Sequence, residues 1–195
     1  MSIRLDREFF ARDPRVVAPE LLGTVLVHDR PGDRRSGRVV EVEAYCGDVD
    51  PAAHTFRGET PRNRTMFGPA GLLYVYFSYG VHWCANVVCG DEGDGVAVLL
   101  RGLAPLDGTE AMYEARGAPA KRDRDLCSGP GKLTQALGIA GADDGTDLAV
   151  SDRLYLADDG TPVADIVQTT RVGISQAVDE PWRWYVADDP NVSRR

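Results

Sequence analysis

The stretch Leu72–Val88, LLYVYFSYGVHWCANVV, constrains this chain more than any other, because two β-prone runs meet at Tyr79 and Gly80. Alternation puts Tyr74, Tyr76 and Ser78 on one strand face and Val75, Phe77 and Tyr79 on the other. Gly80 then permits a tight turn or bulge. The core of a chain of 195 residues does not need this density of aromatic rings. Flat side chains at a turn suit a protein that wedges between bases, or stacks on a base that has left its duplex.

Length and a hydrophobic content of 43% fit one globular domain spanning residues 1–195, with no internal repeat. No apolar run is long enough to span a bilayer, and the start MSIRLDREFF mixes charged and apolar residues, so the expected location is the cytoplasm. Cys46, Cys84, Cys89 and Cys127 form no CxxC pair and read as reduced core thiols. The net charge of −8 has the wrong sign for a protein that holds a polyanion. Residues 140–165 concentrate that charge, with seven aspartates against Arg153 alone. Two stretches are locally basic: Arg57, Arg62 and Arg64 face Glu59, while Lys121, Arg122, Arg124 and Lys132 face Asp123 and Asp125. Charge runs are usually solvated faces, so the pattern permits nucleic-acid binding without demonstrating it.

Along the chain, Asp13 and Pro14 start a short helix that Gly23 closes. Residues 24–28 and 37–45 read as a hairpin around the polar loop DRPGDRRS, with Glu41, Glu43 and Tyr45 on the non-aliphatic face. Strands follow at 72–79, 81–88 and 95–101, helices at 108–116 and 130–137, and a last strand pair near 168–174 and 182–187. Mostly adjacent strands with helices inserted predict an α+β fold with an antiparallel sheet.

Several motifs carry chemistry, each with an ordinary alternative. Glu43 and Tyr45 set a carboxylate beside an aromatic plate, which suits activation of a water against a sugar carbon; strand glutamates are more often solvent-facing. His54 with Arg57, Arg62 and Arg64 around Thr60-Pro61 suits a phosphate-lined loop, or a helix start. His82, Cys84 and Cys89 lack a fourth zinc ligand, so no metal is expected. Ser128 to Leu133, SGPGKL, is not a P-loop, but a helix N-terminus with Lys132 can face a backbone phosphate.

The blocks VVEVEAY, AAHTFRGETPRNRTMF, LLYVYFSYGVHWCANVV, GVAVLLRGLAPLDG and LCSGPGKLTQALGI, in this order, resemble the alkyladenine type of 3-methyladenine DNA glycosylase, the methylpurine DNA glycosylase family. The resemblance implies a single mixed domain whose curved antiparallel sheet, ringed by helices, carries a protruding, DNA-inserting hairpin. It implies a monofunctional base-excision repair enzyme acting as a monomer on double-stranded DNA with a damaged purine, without cofactor or metal. By motif, Glu43 resembles the general base, with Arg101 and the Val172 main chain holding the attacking water. Tyr45 and Tyr76 would sandwich the flipped base, His54 would close the stack, and Asn86 would bar the amino group of guanine. Tyr79 would fill the vacated space in the duplex, with Arg57, Arg62, Arg64, Ser128 and Lys132 along the DNA.

Two other readings stay open on the residues themselves. One is a binding module without catalysis. The other is an O-glycosidase using Glu41 and Glu43, about 7 Å apart on one strand face, although such neighbours cannot flank a sugar from opposite sides.

Overall fold

The computed structural model describes residues 2–163 and 165–194. Its strands are β1 (Ile3–Arg4), β2 (Val25–Arg30), β3 (Asp33–Cys46), β4 (Leu73–Ser78), β5 (His82–Cys89), β6 (Val96–Pro105), β7 (Leu154–Asp158), β8 (Ile166–Thr169) and β9 (Arg183–Val186). All pair antiparallel in one sheet of order β1-β7-β2-β3-β6-β5-β4, with β9 joining β3 and β8 joining β9. The helices are α1 (Arg7–Phe10), α2 (Pro14–Leu21), α3 (Thr109–Arg116), α4 (Arg124–Cys127) and α5 (Pro130–Leu137). The architecture is the expected α+β class with an antiparallel sheet.

Helix α2 begins as its sequence dictates: the Asp13 side chain accepts from the Arg15 amide at 2.8 Å, with Pro14 in the first turn. Helix α5 likewise starts on Pro130 and sends Leu133, Ala136 and Leu137 into a core shared with Leu26, Val42, Leu73, Leu100 and Leu103. Burying such side chains stabilises by about 1.5–3 kcal/mol each.

The first hairpin is tighter than expected. Pairing continues to Arg30↔Asp33, so most of the supposed polar loop belongs to the strands. Cross-strand charges favour this, since Arg30 pairs with Asp33 and Arg34 with Asp29, both at 2.5 Å. The last strand pair exists, but β8 stops at Thr169, and residues 171–176 leave the sheet.

Strand β7 lies inside the acidic stretch and was not foreseen. Its neighbourhood pairs several of the aspartates. Asp143 pairs with Arg153, Asp147 with Arg7, Asp152 with Arg4 and Asp159 with Arg38, while Asp144 accepts from the Val75 amide and the Thr65 hydroxyl. Part of the local excess of negative charge is therefore tied into the scaffold, through Asp143, Asp144 and Asp147. Asp152, Asp158, Asp159 and Asp165 stay exposed.

Strand β3 organises everything that follows. It pairs with β2 as far as Arg38, then with β9 from Glu41 to Glu43, while β6 runs along its other side. Between Val39 and Val42 the register slips, leaving Val40 on β3 and Arg101 on β6 without partners in the ladder. Such a bulge re-aims side chains, here setting Arg101 between two glutamates. The face carrying Glu41 and Glu43, expected to be polar, is fully covered.

Candidate active site

Both Glu41 and Glu43 have 0% exposure, so each must find internal partners. Glu43 accepts from the Val172 amide at 2.7 Å, the Tyr45 hydroxyl at 3.0 Å and Arg101 Nη1 at 3.2 Å. Burial pushes its carboxyl above the ordinary glutamate range; Arg101, the Val172 amide and Tyr45 oppose this, and Glu41 adds to it. Glu41 accepts from Arg101 Nε at 3.0 Å, Arg183 Nε at 2.8 Å, and the Ser193 amide and hydroxyl at 2.6 and 2.9 Å. Burial again opposes its charge, but Arg101, Ser193 and Arg183 together hold it below the usual range. Glu41 is thus committed to structural bonds, which leaves it unsuited as the partner acid an O-glycosidase needs.

The three residues that bond Glu43, namely Tyr45, Arg101 and Val172, border a cavity of about 630 Å³, with Glu43 itself buried behind them. Tyr45, His54, Tyr74, Tyr76, Asn86, Arg101 and Val172 line it, with Arg62, Tyr79 and Pro130 also on its wall. Strand alternation delivers Tyr74 and Tyr76 together, their rings stacked at 5.4 Å and 24°. His54 meets Tyr76 edge-on at 4.4 Å and lies 3.3 Å from the Tyr74 hydroxyl through Nδ1. Its residue surface is open to solvent, yet the surrounding rings, with Arg62, lower its pKa and favour the neutral imidazole. Asn86 Nδ2 donates to the Tyr74 carbonyl at 3.2 Å. Burial, with Glu43 beside it, pushes the Tyr45 phenol far up, so its proton stays in place to be donated.

The β4–β5 turn stands at the rim. Tyr79 and Gly80 have φ of 51° and 66°, and the Val81 amide closes the turn on the Ser78 carbonyl at 3.0 Å. Positive φ is costly for tyrosine, and such strain often marks a working position. Tyr79 is 87% exposed, with Phe77 and Val81 exposed beside it. Arg62 reaches the Phe77 carbonyl at 3.2 Å and lies 5.9 Å from the Tyr76 ring centre.

The remaining basic positions lie outside the cavity. Arg57 and Arg64 are exposed, Arg64 with Glu59 at 3.2 Å, and Lys132 Nζ sits 3.3 Å from the Ser128 hydroxyl near Pro130. His82 packs on Gly131, Cys84 and Cys89 are buried, and among the described residues no three His, Cys, Asp or Glu gather as a metal site.

Residues 8–190 match the family description of methylpurine-DNA glycosylase. The chain belongs to the methylpurine-DNA glycosylase family. Its class is therefore that of a DNA glycosylase, a hydrolase of N-glycosyl bonds that binds DNA. Relatives curated as candidate 3-methyladenine DNA glycosylases agree. One from Burkholderia lata is 55% identical over 191 residues, covering 97% of this chain and 90% of the relative. One from Burkholderia cenocepacia is 55% identical over 189 residues, covering 96% and 89%. One from Rhodopseudomonas palustris is 49% identical over 190 residues, covering 97% and 88%.

Within this glycosylase, sequence reasoning passed over Arg171, Asp50 and Tyr74 as site residues. Arg171 and Asp50 form a fully buried bidentate pair at 2.6 and 2.8 Å. The Arg171 guanidinium lies between the rings of Tyr45 and Trp182, at 4.7 and 5.0 Å, and so backs the plate that faces the cavity. Its signal was adjacency to Val172; that of Tyr74 was its shared face with Tyr76.

Proposed function

We propose that this protein extrudes alkylated or deaminated purines from duplex DNA and hydrolyses their N-glycosidic bond with water activated by Glu43. The lesions meant are 3-methyladenine, 7-methylguanine, hypoxanthine and ethenoadenine. The observation that carries the reading is the three-point hold on the Glu43 carboxylate directly behind an aromatic cavity. A carboxylate offers about four acceptor sites, and three are used here, which leaves one for the attacking water. A raised carboxyl is a stronger base than a free one once ionised, and burial supplies that rise. Water adds to the sugar C1′, its proton passes to Glu43, and the glycosidic electrons leave with the base. Cationic lesions depart readily; neutral ones need assistance at the purine.

In this reading Arg101 and the Val172 main chain hold the carboxylate that holds the water. Tyr45 and Tyr76 stack the purine, His54 presents a neutral edge to it, and Asn86 excludes the exocyclic amine of guanine. Tyr79 fills the gap left in the duplex, Arg62 meets the backbone at the rim, and Arg57, Arg64, Ser128 and Lys132 extend the track along the phosphates. The protein works as a monomer, in the cytoplasm with the DNA. Lyase chemistry needs an amine nucleophile. Lys132 engages Ser128, and Lys121 is exposed in the segment before α4, outside the cavity lining.

The test is release of free base from duplex oligonucleotides carrying each lesion, with wild type and Glu43→Gln side by side. Release by the wild type, reduced about 10²–10⁴-fold in the variant, supports both reaction and base. Turnover retained in Glu43→Gln removes the assignment of the base. Duplex binding without release by the wild type would favour a non-catalytic module.

A further inference from the structure

We propose that the segment Asn191–Arg194, which lies beyond the residues the family description matches, locks Arg101 in place, and through it Glu43, with the Ser193 hydroxyl as the contact group. The inference rests on Glu43 being the general base.

Arg101 spends its three nitrogens on three partners: Nε on Glu41 at 3.0 Å, Nη1 on Glu43 at 3.2 Å and Nη2 on Ser193 Oγ at 3.3 Å. A serine hydroxyl has one proton to give. Here it goes to Glu41 at 2.9 Å, so the same oxygen accepts from Arg101. A planar guanidinium pinned at Nε and Nη2 has its remaining nitrogen aimed, and that nitrogen faces the Glu43 carboxylate. Without the hydroxyl, Nη2 loses its anchor and the fork is free to close on Glu41, since bidentate carboxylate pairing is the strongest arrangement open to it.

The segment is seated too closely for chance contact. A Cβ added at Gly102 would stand 2.9 Å from the Asn191 carbonyl, so glycine at this bulge is what lets the chain lie against β6. The Ser193 amide holds Glu41 at 2.6 Å, and Arg183 donates to the Arg194 carbonyl. Asn191 and Val192 are buried. A loose end would make none of these bonds.

The charges around Glu43 give the test its readout. Glu43 is faced by Arg101 from β6, Glu41 and Tyr45 from its own strand, Tyr76 from β4, Arg183 on the paired strand β9, and Arg171 beside Val172. Arg101 is the strongest of the influences that favour its ionised form. Letting Arg101 drift must therefore raise the pH at which Glu43 ionises.

Single-turnover base release is measured against pH for wild type, Ser193→Ala, Ser193→Thr and Glu43→Gln on hypoxanthine and ethenoadenine duplexes, with duplex Kd and melting temperature alongside. Ser193→Ala should slow release about three- to tenfold at neutral pH. Its acid-limb midpoint should rise by about half a pH unit or more. Kd should stay within about twofold, and Ser193→Thr should restore both rate and midpoint. A wild-type midpoint in Ser193→Ala, or a fall in melting temperature with no change of midpoint, overturns the lock while Glu43→Gln still reports the base. Release by Glu43→Gln overturns the base, and the lock falls with it. If Ser193→Ala melts within the assay range, Ser193→Cys, which keeps the volume and weakens the hydrogen bond, carries the same comparison.

Discussion

Glu41 and Glu43 sit two residues apart on β3, equally buried, yet their surroundings prepare them for opposite fates. Glu41 takes four hydrogen bonds from two guanidiniums, an amide and a hydroxyl, and is held in its charged form. Toward the cavity, Glu43 takes three, shares one of those guanidiniums, and is held less firmly than burial demands. The difference teaches how a fold can set two neighbouring carboxylates apart: it spends its strongest partners on one so that the other, the proposed base, keeps one acceptor site open. Pairs of titratable groups pushed apart in this way commonly divide structural and chemical roles.

The largest expected effect breaks the structural half of that pair. Glu41→Gln leaves Arg101 and Arg183 without their shared counter-charge and should cost about 3–5 kcal/mol, measurable by denaturant unfolding. Glu43→Gln should cost far less, or stabilise, because it removes a charge that burial disfavours. Equal losses from the two would dissolve the contrast.

Acid titration sharpens it. Glu41 is lowered, so the folded state binds fewer protons there; its stabilisation is full above the ordinary glutamate pKa of 4.5 and is lost as pH falls through the depressed value. Glu43 is raised, so the folded state holds its proton longer, and stability falls as pH climbs from 4.5 through the elevated value. Melting temperatures between about pH 3 and 8 should show that fall in wild type and not in Glu43→Gln. On the proposed role of Glu43, base release should rise with pH over the same window, because the ionised form would be the base.

A change at the hairpin tip should leave both glutamates alone. Tyr79→Ala removes an exposed ring and should change stability by no more than about 0.5 kcal/mol. It should slow release from well-paired lesions several-fold more than from mispaired ones, with no shift in the pH profile. Equal slowing on both would take the wedge away from Tyr79.

Much of this was legible in the sequence. Alternation placed Tyr74, Tyr76 and Ser78 on one face, and the turn at Tyr79-Gly80 appeared where Gly80 allowed it. Helices α2 and α5 announced themselves through Asp13, Pro14 and Pro130. The missing parts depend on distant contacts. Period-two reasoning set Glu41 and Glu43 on one face but carried no information on what covers that face, which is β9, the segment around Val172 and Ser193. The bulge that frees Arg101 from the ladder leaves no mark in composition. The acidic stretch was legible only in part for a related reason: its exposed aspartates are surface charge, but their arginine partners, up to 148 residues away, leave no local signal.

The smallest expected effects lie at the cavity rim, where two arginines that look alike in sequence have different settings. Arg62 is tethered to the Phe77 carbonyl and lies against Tyr76, so its charge stands beside the opening with little freedom to lose on binding DNA. Arg64 is solvent-exposed and already paired with Glu59, and such surface pairs contribute about 0–1 kcal/mol. Arg62→Ala should therefore reduce the slope of log Kd against log salt by about one, the signature of one lost phosphate contact, while Arg64→Ala changes it less. Neither should move the pH midpoint of base release, because neither is among the largest influences on Glu43, and their contacts are with Phe77, Tyr76 and Glu59. A midpoint that shifts with Arg62→Ala would mean that the rim and the buried carboxylates are electrostatically continuous, and the division between a held glutamate and a poised one would then have to include the charges of the cavity mouth.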